Sequence, residues 1–140
     1  MEREDNMKQG SIIKAYKIIR KIGAELEIPW DLKRKLADLR RQLQPTWDFQ
    51  AEAEQTTVEA LQAKFKKKPG ETLSEAEVSQ LQTELNIRLN DLANTDVEIE
   101  IQPIRIEMTQ KLEKILNKIL TGNELIDLDG FIEFEEVEGK

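Results

Sequence analysis

The chain is 140 residues long, 39% apolar and 35% charged, with a net charge of −7. That length suits one domain, or a compact core with an extended helical arm, and the surplus of charge favours surface-rich helices over a thick globular core. The negative balance argues against nonspecific binding to nucleic acid or to an anionic membrane surface.

The chain has no histidine and no cysteine. That removes disulfides, thiolate or imidazole metal ligands, and every Ser-His or Cys-His arrangement. An enzyme is therefore not expected, and no cofactor is implied.

The first ten residues, MEREDNMKQG, are charged, lack the apolar stretch of a signal peptide, and are expected to form a disordered terminus. Ser11 is a good N-cap. Ile12, Ile13, Tyr16 and Ile19, with Ala15 or Ile22, repeat at helical spacing, which predicts a helix over residues 12–22 stopped by Gly23. Trp30, Leu32, Leu36, Leu39 and Leu43 predict a second helix over 30–43, with Pro29 ahead of it and a basic face of Lys33, Arg34, Lys35, Arg40 and Arg41. Pro45 has no N–H and clashes with the preceding turn, so the pattern is expected to break or kink there.

A third helix is expected over 46–67, with Trp47, Ala51, Val58, Leu61 and Phe65 on one face. Its last turn, from Lys64 to Lys68, is rich in lysine, and Pro69-Gly70 closes it. Ser74-Glu75-Ala76-Glu77 has the spacing of a capping box and opens a fourth helix over 75–93, carrying Val78, Leu81, Leu85, Leu89 and Leu92. Similar lengths and a short link make the third and fourth helices an antiparallel hairpin.

Asn94-Thr95-Asp96 stops that helix, and VEIEIQPIRIEM follows. It alternates apolar and polar residues with the period of a half-buried strand, expected over 97–107. Val97, Ile99 and Ile101 fall on one face, whereas Ile104, Ile106 and Met108 take the other parity. The change of phase requires a bulge or bend at Pro103. Thr109 can cap a fifth helix over 109–120, built on Leu112, Ile115, Leu116, Ile119 and Leu120 and ended by Gly122. In the tail, Asn123 could cap a short helix, while 131–137 could form a second strand. A lone strand has unpaired edges, so either this tail pairs with it or a second copy of the chain does.

One stretch resembles a metal site. Asp127, Asp129, Gly130, Ile132 and Glu136 match the third, fifth, sixth, eighth and twelfth positions of an EF-hand calcium loop. The first ligand position is Leu125, which has no side-chain oxygen, and few residues remain for an exiting helix. Metal binding by Asp127, Asp129 and Glu136 is therefore rejected in favour of an acidic tail whose apolar residues pack on the domain. Glu98 and Glu100, two apart on a strand, read as solvated charges and not as an acid/base pair. The basic face of the second helix reads as solvated or acid-paired. Trp30, Trp47 and Phe49 flank Pro45 and are expected to pack in the core; exposed together, they would mark a partner site.

The order SIIKAYKIIRKIG, IPWDLKRKLADLRRQLQP, WDFQAEAE and LNDLANTDVEIEIQPIRIE, ending in LIDLDGFIEFEE, resembles a family of small uncharacterised proteins from tailed bacteriophages and prophages. The resemblance runs from about Ser11 to Glu136. It implies a phage or prophage origin and a tail used for packing, and it carries over no catalytic residues.

The expected fold is mainly α with a small β element, a helical hairpin plus a bent strand that the tail can make two-stranded. The expected function is a non-enzymatic protein–protein interaction module, structural or assembling, with a protein partner from phage or host. Homodimerisation through the strand edge is the natural self-contact. Val97, Ile99, Ile101, Ile104, Ile106, Trp30, Trp47 and Phe49 are the candidate partner-binding residues. An acidic inhibitor of a host defence or nucleic-acid enzyme is the alternative, with calcium binding behind it. No run approaches the roughly 18 apolar residues of a membrane span. The host cytoplasm is the expected location, or the virion for a structural protein.

Overall fold

A computed structural model of the protein describes residues 6–65 and 72–136. Helix α1 (Gln9–Gly23) is the element on which the others pack. Ile12, Ala15, Tyr16, Ile18, Ile19 and Ile22 turn most of its circumference into core. At 100° per residue, Lys14, Lys17 and Lys21 share the narrow strip left to solvent. The four helices that follow it and the short strand that precedes it all touch α1.

The expected disorder of the first ten residues is corrected at residues 6–10; residues 1–5 lie outside the described residues. Strand β1 (Asn6–Lys8) leads directly into α1, which starts at Gln9 and not at residue 12, so Ser11 lies inside the helix and is not its N-cap. Gln9 explains the earlier start. Its backbone N–H donates to the Thr95 carbonyl at 2.9 Å, and its buried amide donates to Thr46 O at 3.3 Å and Gln50 Oε1 at 3.0 Å. Helix α2 and the turn at Thr95 therefore hold the first turn from outside, and no side-chain cap is needed.

Helix α2 (Trp30–Phe65) is continuous over 36 residues, about 54 Å, with Pro45 inside it. The expected break at Pro45 is thus wrong. Leu32, Leu36, Leu39, Leu43 and Thr46 are all buried across the proline, so packing on α1 keeps the helix continuous through it. Pro45 itself faces solvent, where water can satisfy the Arg41 carbonyl that loses its intrahelical donor.

Beyond residue 46, α2 and α3 (Glu75–Ala93) form the antiparallel arm that the sequence leads one to expect. Lys64 Nζ pairs with Glu84 at 3.0 Å across it. The end of the third predicted helix at 66–67, the lysines at 66–68 and the Pro69-Gly70 stop lie outside the described residues. Ser74 caps α3 in the expected capping box: Glu77 N–H donates to Ser74 Oγ at 3.2 Å, and Ser74 N–H donates to Glu77 Oε1 at 3.1 Å.

The single bent strand over 97–107 is also corrected. The chain there makes two strands in two separate sheets. Strand β2 (Asp96–Glu98) pairs antiparallel with β1, Val97 opposite Met7. Strand β3 (Ile104–Met108) pairs in parallel with β4 (Ile132–Glu136), Ile104 opposite Ile132, after a crossover through α4 (Gln110–Ile119) and α5 (Gly122–Asp127). The reversal of phase at Pro103 is met by leaving one sheet and entering the other, with Ile101 buried between them. The tail is both helix and strand. Thr109 caps α4, whereas α5 is capped by Thr121 and not by Asn123, through a capping box with Glu124. Gly130 (φ 86°) makes the left-handed turn that admits β4.

The fold is therefore mainly α with a small β element. Among the described residues, no helix is long and apolar enough to cross a membrane.

Candidate interaction surface

Most of the sequence-nominated partner residues turn inward. Ile101 and Ile106 are buried, and Val97, Ile99 and Ile104 are half-buried against the same core. The backbone on the far side of this stretch is engaged as well. Lys35 Nζ donates to the Arg105 carbonyl at 2.9 Å, and Gln42 bonds both the N–H and the carbonyl of Gln102, at 2.8 and 3.1 Å. The β3 half of the stretch pairs with the tail, and the β2 half pairs with the N-terminal strand β1.

The three aromatics do not cluster. Trp47 stacks on Tyr16, ring centroids 4.3 Å apart, and the Tyr16 hydroxyl donates to Gln44 Oε1 at 2.6 Å. Trp30 is 82% exposed and Phe49 55% exposed, so core packing fails for both. They stand 19 residues apart on one helix, about 28 Å, and form no common patch. The likeness to a calcium loop does not survive as geometry. Asp127 ends α5 and Asp129 sits in the turn, while Glu136 is at the far end of β4, about 16 Å further along an extended strand. Among the described residues, no three carboxylates gather as a metal-holding group.

Two other surfaces stand out. The first is α3, a 19-residue helix in which no residue is buried. Leu81, Leu85, Leu89 and Leu92 form one stripe and are only half-buried, because a two-helix arm covers just one side of each helix. Val78 is 50% exposed on that stripe, and Ile87 is 57% exposed on the opposite side.

The second is the solvent face of α2, where charge is segregated along one helix. At 100° per residue, Trp30, Arg34, Arg41, Pro45, Asp48, Glu52, Thr56, Glu59 and Ala63 share it, and all are exposed. Arg34 and Arg41 precede Pro45, with Asp38 beside Arg41 on the same face, and Asp48, Glu52 and Glu59 follow it. The neighbouring helices continue the trend: α1 has four cations and no acid, whereas α3 has Glu75, Glu77, Glu84 and Asp91 against Arg88. Charges interspersed in the sequence are thus sorted in space.

Few of the cations at the basic end are neutralised. Arg41 pairs with Asp38 at 2.7 Å and Lys21 with Glu124 at 3.3 Å. Among the described residues, Arg20, Lys33, Arg34 and Arg40 form no ion pair. Arg20 lies 6.0 Å from the Trp47 ring and Lys33 5.0 Å from the Trp30 ring. An open groove of about 360 Å³ between α1 and α2 has Arg20, Lys33 and Arg40 on its walls and no carboxylate. The Thr121 N–H bonded to the Glu124 carboxylate, followed by Lys21, holds that carboxyl below its ordinary value.

No family model matches this chain, and no curated protein or solved structure matches it.

Proposed function

We propose that the chain is a non-enzymatic protein–protein interaction module, of the structural or assembly kind implied by its resemblance to small phage proteins. The observation that carries this reading is α3, a long leucine-striped helix without a buried residue. Isolated helices gain most of their stability from packing an amphipathic face, and this one is packed on one side alone. An apolar helix face in a projecting arm is a standard docking element for another protein.

The acidic-inhibitor reading requires a face of one sign. The solvent face of α2 carries Arg34 and Arg41 in line with Asp48, Glu52 and Glu59, which favours protein contacts over imitation of a nucleic acid.

The test is affinity capture from host cells with the intact chain and with Val78→Lys, at an exposed position on the leucine stripe. A partner retained by the intact chain and lost by the variant is expected. Equal recovery with both chains would sink the assignment to α3.

A further inference from the structure

We infer that the solvent face of α2 is a self-association surface, and that its occupant is the same face of a second copy running antiparallel. This surface is separate from the α3 stripe and does not depend on what that stripe binds.

The argument is self-complementarity. A twofold axis passing between residues 46 and 47 of α2 pairs Arg34, Arg41, Glu52 and Glu59 of this face with charges of opposite sign. Arg34 then faces Glu59 of the other copy. Arg41, which also pairs with Asp38 of its own helix, faces Glu52, while Asp38 falls opposite the uncharged Gln55. Trp30, large and exposed, faces Ala63, so a bulky ring meets a small side chain. Ala37 falls opposite Thr56, and Pro45 opposite Asp48. The same operation repeats every contact, as a twofold interface must.

The spacing is suited to such packing. Residues 30, 34, 37, 41, 45, 48, 52, 56, 59 and 63 step by three or four, which keeps one stripe facing a straight neighbour over about 50 Å. A parallel arrangement would set Arg34 and Arg41 against their own copies and the acids against acids, and these like-charge contacts oppose it. Charge therefore selects the antiparallel direction. It also gives the basic groove beside α1 an acidic neighbour, since the partner's arm passes along that end.

The proposal is tested by two double reversals, Arg34→Glu/Arg41→Glu and Glu52→Arg/Glu59→Arg, both at exposed positions. Light scattering and sedimentation should give the intact chain twice its 16.2 kDa mass, with dissociation as salt rises. Each reversed chain alone should dimerise at least about a hundredfold more weakly, because both of its contacts become repulsive. Mixed in equal amounts, the two reversed chains should form a heterodimer, since all contacts between them are again opposite in sign. Ala63→Lys, which places a long cation where the Trp30 ring docks, should also give a monomer with an unchanged circular dichroism spectrum. A monomeric intact chain at high concentration and low salt overturns the proposal. So does a dimer indifferent to the reversals, or a monomer that instead binds a labelled oligonucleotide through Arg34 and Arg41.

Discussion

A Cβ added at Gly10 would lie 3.0 Å from the Cβ of Ala93 and 3.2 Å from its carbonyl oxygen. The first turn of α1 therefore meets the last turn of α3 backbone to backbone, and this contact joins the arm to the core. Gly10→Ala gains about 1 kcal/mol of helix propensity but meets main chain that cannot rotate away, at about 1–3 kcal/mol. A lower urea midpoint is expected. A stabilised Gly10→Ala would mean that the arm yields freely at its root.

Pro45 lies inside a continuous helix, between the buried Leu43 and Thr46. Pro45→Ala restores the amide donor to the Arg41 carbonyl and removes the ring clash, so stability should rise by roughly 1–3 kcal/mol. Thermal denaturation checks the sign. A destabilised variant would show that a bend at residue 45 is required.

The tail belongs to the core. Leu128, Phe131 and Ile132 are buried, and the Phe131 carbonyl accepts from Ile104 N–H at 3.1 Å. Phe131→Ala should cost about 3–5 kcal/mol, and truncation after Gly122 should leave a chain without cooperative unfolding. A truncated chain with a sharp transition would contradict the β3–β4 pairing.

Glu124 gives a pH signature. Its carboxyl titrates below the ordinary 4.5, first because it accepts from Thr121 N–H and then because Lys21 is near. A carboxyl lowered in the folded state contributes stability that is present above its unfolded value and is lost as pH falls through the folded one. The difference in urea midpoint between the intact chain and Glu124→Gln should therefore be constant near neutrality and close below pH 4.5. A difference that widens in acid would reverse the sign.

These positions also show what the sequence could disclose. The Ser74–Glu77 box, the Thr109 cap and the leucine spacing of α3 and α4 are local signals, and each marks its helix directly. The Thr121–Glu124 box is equally local, but Gly122 beside it reads as a stop and hides it. The continuity of α2 is not local. Proline argues for a break, and only burial of Leu43 and Thr46 against α1 overrides it. Strand β1 offers one apolar side chain, Met7, and its pairing with Val97 depends on a contact 90 residues away. The exposed face of α2 was legible only in part. Its charges are visible in the sequence, but their common face requires residues 30–65 to be one helix.

The account rests on α3 being an arm that its own chain does not complete. Hydrogen exchange of the isolated protein, read amide by amide, tests this most directly. Helix α1, with most of its circumference buried, should exchange near the global unfolding limit, and α3 should open at least about tenfold more often. Equal protection of α1 and α3 would show that the arm is stable without a partner and would contradict the interaction role.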